Sequence, residues 1–247
     1  MSVFPTKWSA AIFSATLCVA CAQVEESEDH TMGSWGISMV EASVDGGEFT
    51  WTGVSGADVQ VKSRKWSKGL SQAQAAMRME DLDASCNVAQ GILALRGLGG
   101  DNEAAGTDIA VTGPNYVDTD VTVLKGEIRV ENLSGTHKLS APIVVASALE
   151  GSVEVRSSGG HVELQLFPLT NSVIQVDVNE GWAQVRLPIG LEYDLQVQSS
   201  GDGSIDVVGL NLEQRTSEPG IFYGKTGSGS IEVSVNVTGG TVTIQGT

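Results

Sequence analysis

Positive charge is scarce in this 247-residue chain: 14 Lys and Arg stand against 30 Asp and Glu, a formal net charge of −16. Duplex nucleic acid is thereby excluded as a partner, because its affinity comes from Lys and Arg displacing counterions. Charged residues of both signs reach only 18%, and Pro numbers 6, so neither a disordered polyelectrolyte nor a collagen-like chain fits. Of the 3 cysteines, Cys18 and Cys21 lie in or at the end of an N-terminal leader. Cys86 is then alone, which rules out an intramolecular disulfide and leaves it to pack as a small apolar residue. The 3 histidines, His30, His137 and His161, fall in unrelated segments without paired ligands. No zinc site follows from them, and each is expected in a solvated turn or at an outward strand position.

Long apolar runs are missing too. Trp8 to Ala20 spans 13 residues, too few to cross a ~30 Å hydrocarbon core as a helix. Preceded by Lys7 and ending in small residues, it reads as a secretory signal. Leu17-Cys18-Val19-Ala20-Cys21 resembles a bacterial lipobox, with Cys18 where Leu is usual. Cleavage before Cys21 makes residues 1–20 a lipoprotein signal and Cys21 the acylated first residue. Cleavage after Ala22, at Ala20-Cys21-Ala22, is the alternative. Residues 21–32 are acidic and without periodicity, so a tether is expected there. The implied partner is a membrane, reached through an N-terminal lipid anchor. Because Ala22 rather than Asp follows Cys21, the outer membrane is the expected site if the cell has two.

What the chain has in excess is Gly and Val, 30 of each, the composition of short strands and tight turns. Residues 33–247 read as one β-rich domain. Ile37 to Val44, Phe49 to Val54 and Asp58 to Trp66 are strand-like runs broken by Asp45-Gly46-Gly47 and Ser55-Gly56. Leu70 to Leu82 differs: it lacks Gly and Pro and places Leu70, Ala73 and Met77 at helical spacing. That predicts one short helix of about three turns, capped by Ser67 or Ser71.

A repeat dominates residues 113–247. Gly126-Glu127-Ile128-Arg129-Val130 is echoed at Gly151 to Val155, Gly203 to Val207 and Gly229 to Val233. The offsets (151 − 126 = 25, 203 − 151 = 52, 229 − 203 = 26) suggest a unit of about 26 residues. Looser copies begin at Gly160, Gly181 and Gly240. Two apolar residues in each copy face one side, and the residue between them faces out. A glycine at the head of each is expected to serve a positive-φ turn. Stacked coils of such strands share one core, which predicts an all-β, single-stranded β-solenoid resembling a β-helix, with one short helix in its N-terminal half. A β-sandwich is the alternative. Direct stacking at this period places Ile205, Val207, Ile231 and Val233 inside. It also forms an outward column of Arg129, Glu154, Asp206 and Glu232, in which Arg129 meets Glu154 and Asp206 meets Glu232.

Gly181-Trp182-Ala183-Gln184-Val185-Arg186-Leu187-Pro188, Ser199 to Ile205 and Gly224 to Ile231 resemble the bacterial putative-adhesin family of unknown function. The resemblance covers roughly 58–247. It implies a β-helical head domain on an exported protein or lipoprotein, and it carries over no catalytic residue.

Catalytic and nucleotide motifs fail on inspection. Gly220 to Thr226 has three residues between its glycines where a P-loop needs four, and a strand follows it. No Gly-x-Ser-x-Gly elbow occurs. A local reversal of charge remains, where Lys62, Arg64, Lys65 and Lys68 surround Trp66. It is a candidate contact for an anionic surface; the plainer reading is a strand end whose cations answer nearby carboxylates. Asp206 and Glu232 are weak candidates for a cation, since two carboxylates fall short of calcium's six to eight ligands. The sequence thus predicts a non-enzymatic, cofactor-free envelope lipoprotein whose solenoid is an adhesin-like binding or structural module of unidentified ligand, with envelope polysaccharide or protein as the candidate partner. The rivals are a periplasmic sensory or regulatory accessory and a polysaccharide-acting enzyme. An enzyme would gather two or more carboxylates beside an aromatic platform such as Trp182 or Tyr193.

Overall fold

A computed structural model describes residues 22–34, 36–100 and 103–247. The expected signal, residues 1–20, and the acylation site Cys21 lie outside the described residues. The chain begins with β1 (Ala22–Met32), β2 (Met39–Val44), β3 (Gly47–Gly53) and β4 (Val59–Gly69). Then come the helix α1 (Gln72–Met79), β5 (Asp83–Ala89), β6 (Ile92–Leu98) and β7 (Ala105–Gly113). Next are β8 (Asp118–Val123), the long β9 (Gly126–Ser140) and β10 (Ile143–Ser158), β11 (His161–Leu166), β12 (Val173–Asn179) and β13 (Trp182–Leu187). The last are β14 (Tyr193–Ser200), β15 (Ile205–Val208), β16 (Gln214–Glu218), β17 (Ile221–Lys225), β18 (Ile231–Thr238) and β19 (Thr241–Gly246).

Each coil gives one strand to each of two sheets. The first sheet runs in parallel as β6, β2, β8, the end of β9, the end of β10, β12, β18 and β14. The second runs as β7, β3, the start of β9, the start of β10, β11, β13, β19 and β15. Strict alternation in each strand turns Val, Leu and Ile inward. One inner row reads Ala42, Val121, Leu139, Val155, Val176, Val235 and Val197. All of these are buried in the core that both sheets share. Each fully buried side chain of this size contributes roughly 1.5–3 kcal/mol, so the shared core holds the two sheets together although their outer faces meet solvent.

The solenoid and its single described helix are as expected, but the period and the order are not. Ile128, Val144, Val162 and Ala183 are successive neighbours, which gives coils of 16, 18 and 21 residues (144 − 128, 162 − 144, 183 − 162). The 25-residue offset corresponds to about one and a half coils. Gly126 and Gly203 therefore head strands of the second sheet, while Gly151 and Gly229 precede strands of the first. Arg129 stands beside Thr50 and Val145, and Glu154 beside Lys138 and Gln175. Asp206 neighbours Thr243 in the second sheet, and Glu232 neighbours Asp194 and Val173 in the first. The expected column is dissolved, and with it the Asp206–Glu232 pairing. Ile231 and Val233 are buried, but Ile205 and Val207 are only half-buried because β15 is the last strand of its sheet.

Coil order also departs from chain order. The first coil, β2–β3, lies between β6–β7 and β8–β9. The last, β18–β19, inserts between β12–β13 and β14–β15. Both terminal coils thus have neighbours on each side, which counters the fraying usual at chain ends. Antiparallel strands cover exposed edges: β4 and β1 beside β7, β5 beside β6, and β17 and β16 beside β14. Unpaired edges invite further pairing with other chains.

Three local expectations are corrected. Residues 22–32 are not a tether but a strand, paired with β4 along its length from Ala22↔Gly69 to Met32↔Val59. Their acidic residues complement β4, as where Lys65 Nζ lies 2.9 Å from Glu26 Oε2. The helix is two turns, not three. Ser71 caps it, accepting from the Gln74 amide at 3.2 Å, while Ser67 donates to the Ala75 carbonyl instead. Ala75 is its buried residue, so the stripe of Leu70, Ala73 and Met77 faces water. His137 is fully buried on the inner face of the first sheet, between Thr119 and Val153.

Candidate functional site: the outer face of the second sheet

Residues that alternate with the core of the second sheet form outward rows across its strands. One row runs Arg64, Asp108, Glu48, Glu127, Ile143, His161, Trp182 and Thr241. With adjacent strands ~4.8 Å apart, Asp108, Glu48 and Glu127 repel one another unless cations intervene. Two arginines supply that charge. Arg64 Nη2 lies 2.6 Å from Asp108 Oδ2, and Arg129 reaches both Glu48 (3.2 Å) and Glu127 (2.7 Å).

Asp108 is the hub of this end. It accepts from the Glu48 amide at 3.0 Å, from Trp66 Nε1 at 3.1 Å and from Arg64 Nε at 3.1 Å. That hydrogen bond raises the Arg64 guanidinium pKa, although the group is half exposed and its ion pair is worth little by itself. Asp108→Ala is expected to cost about 2 kcal/mol, mostly by stranding the Trp66 and Glu48 donors. Chemical denaturation checks it, with Asp108→Asn retaining part of the loss because its amide oxygen still accepts.

The basic cluster read from the sequence is therefore largely answered within the fold. Arg64 meets Asp108 and, at 3.9 Å, Glu25; Lys65 meets Glu26. Lys62 stands opposite Asp29 in the β1–β4 register, and Lys68 Nζ sits 5.2 Å from the Trp66 ring centroid. The cluster borders a groove of about 350 Å³ lined by Glu25, Glu48, Arg64, Trp66, Asp108 and Glu127. Nothing in the local sequence marks Asp108, Glu48, Arg129 or Glu127 as partners. Alternation shows that they point outward, but register alone brings them together.

Farther along the row the chemistry changes. His161 and Trp182 stack with ring centroids 4.7 Å apart and planes within 5°. Trp182 is 38% exposed, whereas Tyr193, the other expected platform, is fully buried with its hydroxyl donating to the Pro188 carbonyl at 2.9 Å. The next outward row sets Glu163, Gln184 and Thr243 beside this pair. The first sheet carries a wider depression of about 500 Å³ among Glu41, Ser43, Asn87, Arg96 and Asp120, and no aromatic side chain lines it. Cys86 packs half-buried against the core, and burial pushes its thiol up to about 11, as suits a structural residue. Among the described residues no group of three or more His, Cys, Asp or Glu could hold a metal ion.

Parallel coils that share one core between two sheets define this chain as a β-solenoid domain. It belongs to the Toastrack family, DUF4097, whose match spans residues 37–245 and leaves β1 outside. Among solved structures it is similar to a "putative cell adhesion protein" from Clostridium sporogenes, with 14% identity, 90% of this chain and 100% of that chain covered, and a TM-score of 0.54. A "putative adhesin" from Bacteroides fragilis matches at 10% identity over 89% of this chain and 96% of that chain, with a TM-score of 0.33. At 14% identity the likeness to the Clostridium sporogenes protein is one of fold alone. No curated protein matches the chain.

Proposed function

We propose that this chain is an exported envelope protein, held at the membrane through Cys21, whose solenoid binds polysaccharide with the outer face of the second sheet. The observation that carries the binding reading is the stacked His161–Trp182 pair, Trp182 exposed and His161 half-buried, on a face of regularly spaced strands. An indole face offers a flat apolar surface to a sugar ring. Glu163, Gln184, Thr241 and Thr243 around it supply acceptors and donors for the hydroxyls. Adhesion named for the Clostridium sporogenes protein agrees with a role in display and contact.

The groove beside Trp66 is where a hydrolase would do its work, since four carboxylates, Glu25, Glu48, Asp108 and Glu127, gather there. Each of them is engaged by an arginine, however, which suits a rigid charged surface better than proton transfer. The test is binding of the purified chain to immobilised envelope polysaccharide. Trp182→Ala is expected to weaken it about tenfold or more while leaving the melting temperature nearly unchanged, as truncation of an exposed anchor should. Equal binding by the two proteins removes the proposed face. Sugar release that is lost in Glu48→Gln replaces binding with hydrolysis.

A further inference from the structure

The helix α1 and the residues leading into it expose an apolar stripe that the fold leaves uncovered. Leu70 is 87% exposed and Met77 69%, with Ala73 exposed between them. Ala73 and Met77, four residues apart, share one face of α1, the kind of face that ordinarily packs inward, and Leu70 precedes the helix cap Ser71. Fraying does not account for it, because the opposite side is fastened. Ala75 is fully buried, Ser67 Oγ donates to its carbonyl at 2.6 Å, and Arg78 Nη1 donates to the Lys68 carbonyl at 2.6 Å. A two-turn helix has little stability of its own, so these contacts hold the stripe outward.

Where the stripe lies decides what covers it. β1 starts at Ala22, and Ala22 pairs with Gly69, the residue before Leu70. Cys21, the first residue after the proposed cleavage, is therefore one peptide bond from the strand end beside the stripe. One residue spans at most ~3.6 Å, so an anchor on Cys21 cannot hold this end of the molecule far from the bilayer. The acidic segment that would have served as a spacer is taken up in the β1–β4 ribbon. Lys68 and Arg78 flank the stripe, but the exposed Glu80 and Asp81 follow it directly, so its place beside the Cys21 junction rather than its charge decides what covers it.

We propose that Leu70, Ala73 and Met77 lie in the interfacial layer of the membrane that holds Cys21, so that the solenoid is seated on the bilayer rather than hung from a tether. The proposal rests on anchoring at Cys21. Its test uses the full chain, purified with its anchor and reconstituted into vesicles of phosphatidylethanolamine and phosphatidylglycerol. In a Cys86→Ala background, an environment-sensitive fluorophore is attached through Ala73→Cys, or through Val208→Cys in β15, at the opposite end of the second sheet, as the distant control. The label at 73 should shift to the blue and be quenched by nitroxide-bearing lipids, while the label at 208 does neither. Adding Leu70→Glu and Met77→Glu, both at exposed positions, should return the label at 73 to its aqueous emission while the protein still floats with the vesicles. A floating parent protein whose label at 73 reads water overturns the seating and spares the anchor. A parent that neither floats nor incorporates palmitate overturns both. A blue shift without lipid, accompanied by a doubled mass, assigns the stripe to a second copy of the chain and overturns membrane seating.

Discussion

Gly240→Ala is expected to destabilise the protein by on the order of 3–5 kcal/mol, enough to unfold a marginal domain. A Cβ at Gly240 would lie 1.4 Å from the Gly181 carbonyl oxygen, and one at Gly181 would lie 1.8 Å from that of Gly160. These glycines stack at the corner where each coil passes from the first sheet to the second. What blocks the methyl is backbone tied into the neighbouring coil, so relief means prising coils apart. Unlike the turn glycines, these three do not owe their identity to a positive φ, which corrects the sequence-based explanation of the repeat. The adjacent Gly239 is the control. It has φ +69° with nothing within 4 Å of its Cβ position, so Gly239→Ala should cost only about 1 kcal/mol, through left-handed backbone strain. Urea midpoints that rank Gly239→Ala as the more damaging would refute the steric account.

The second large effect is on pH dependence. His137 is fully buried with Nδ1 3.1 Å from Thr119 Oγ1. Its Nε2 is buried without a hydrogen-bond partner. Burial lowers its pKa from 6.5 to about 4, against smaller opposing effects from the Glu150 backbone and the Asp118 carboxylate. The unfolded chain therefore binds this proton more readily than the folded one. The stability held by neutral His137 is complete above pH 6.5 and is lost as pH falls towards 4. The loss by pH 4 is roughly 3 kcal/mol, at 1.36 kcal/mol per pKa unit. His137→Leu keeps an apolar filling without the ionisable ring, so its stability should fall less across this window by about that amount. Carboxylates titrate in both proteins and cancel in the difference. Parallel stability profiles from pH 8 to 4 would show that His137 is not held neutral.

Several features were legible from residues alone because their physics is local. Apolar and polar residues alternating with period two, in a chain rich in Gly and Val, dictate short half-buried strands, and their repetition dictates stacked coils. Ser71 before an Ala- and Gln-rich stretch marks a helix start, because its side chain accepts from an amide three residues on.

What escaped the sequence depends on which strands become neighbours. Any strand with the right alternation can satisfy the backbone of any other, so Gly126 and Gly151 look like copies of one rung although they belong to different sheets. For the same reason, nothing local reveals that the final coil inserts between two earlier ones, or that residues 22–32 find a partner in β4. Burial follows pairing: His137 is inside because its strand lies mid-sheet, and Ile205 is half-exposed because its strand is last. The groove around Asp108 and the outward stripe of α1 have the same origin. The sequence by itself determined the strands, the turns and the solenoid class, through contacts a few residues apart. Only the tertiary structure decided coil order, register and the composition of each face, because hydrogen bonding between parallel strands is blind to side-chain identity and is settled by packing of the whole stack.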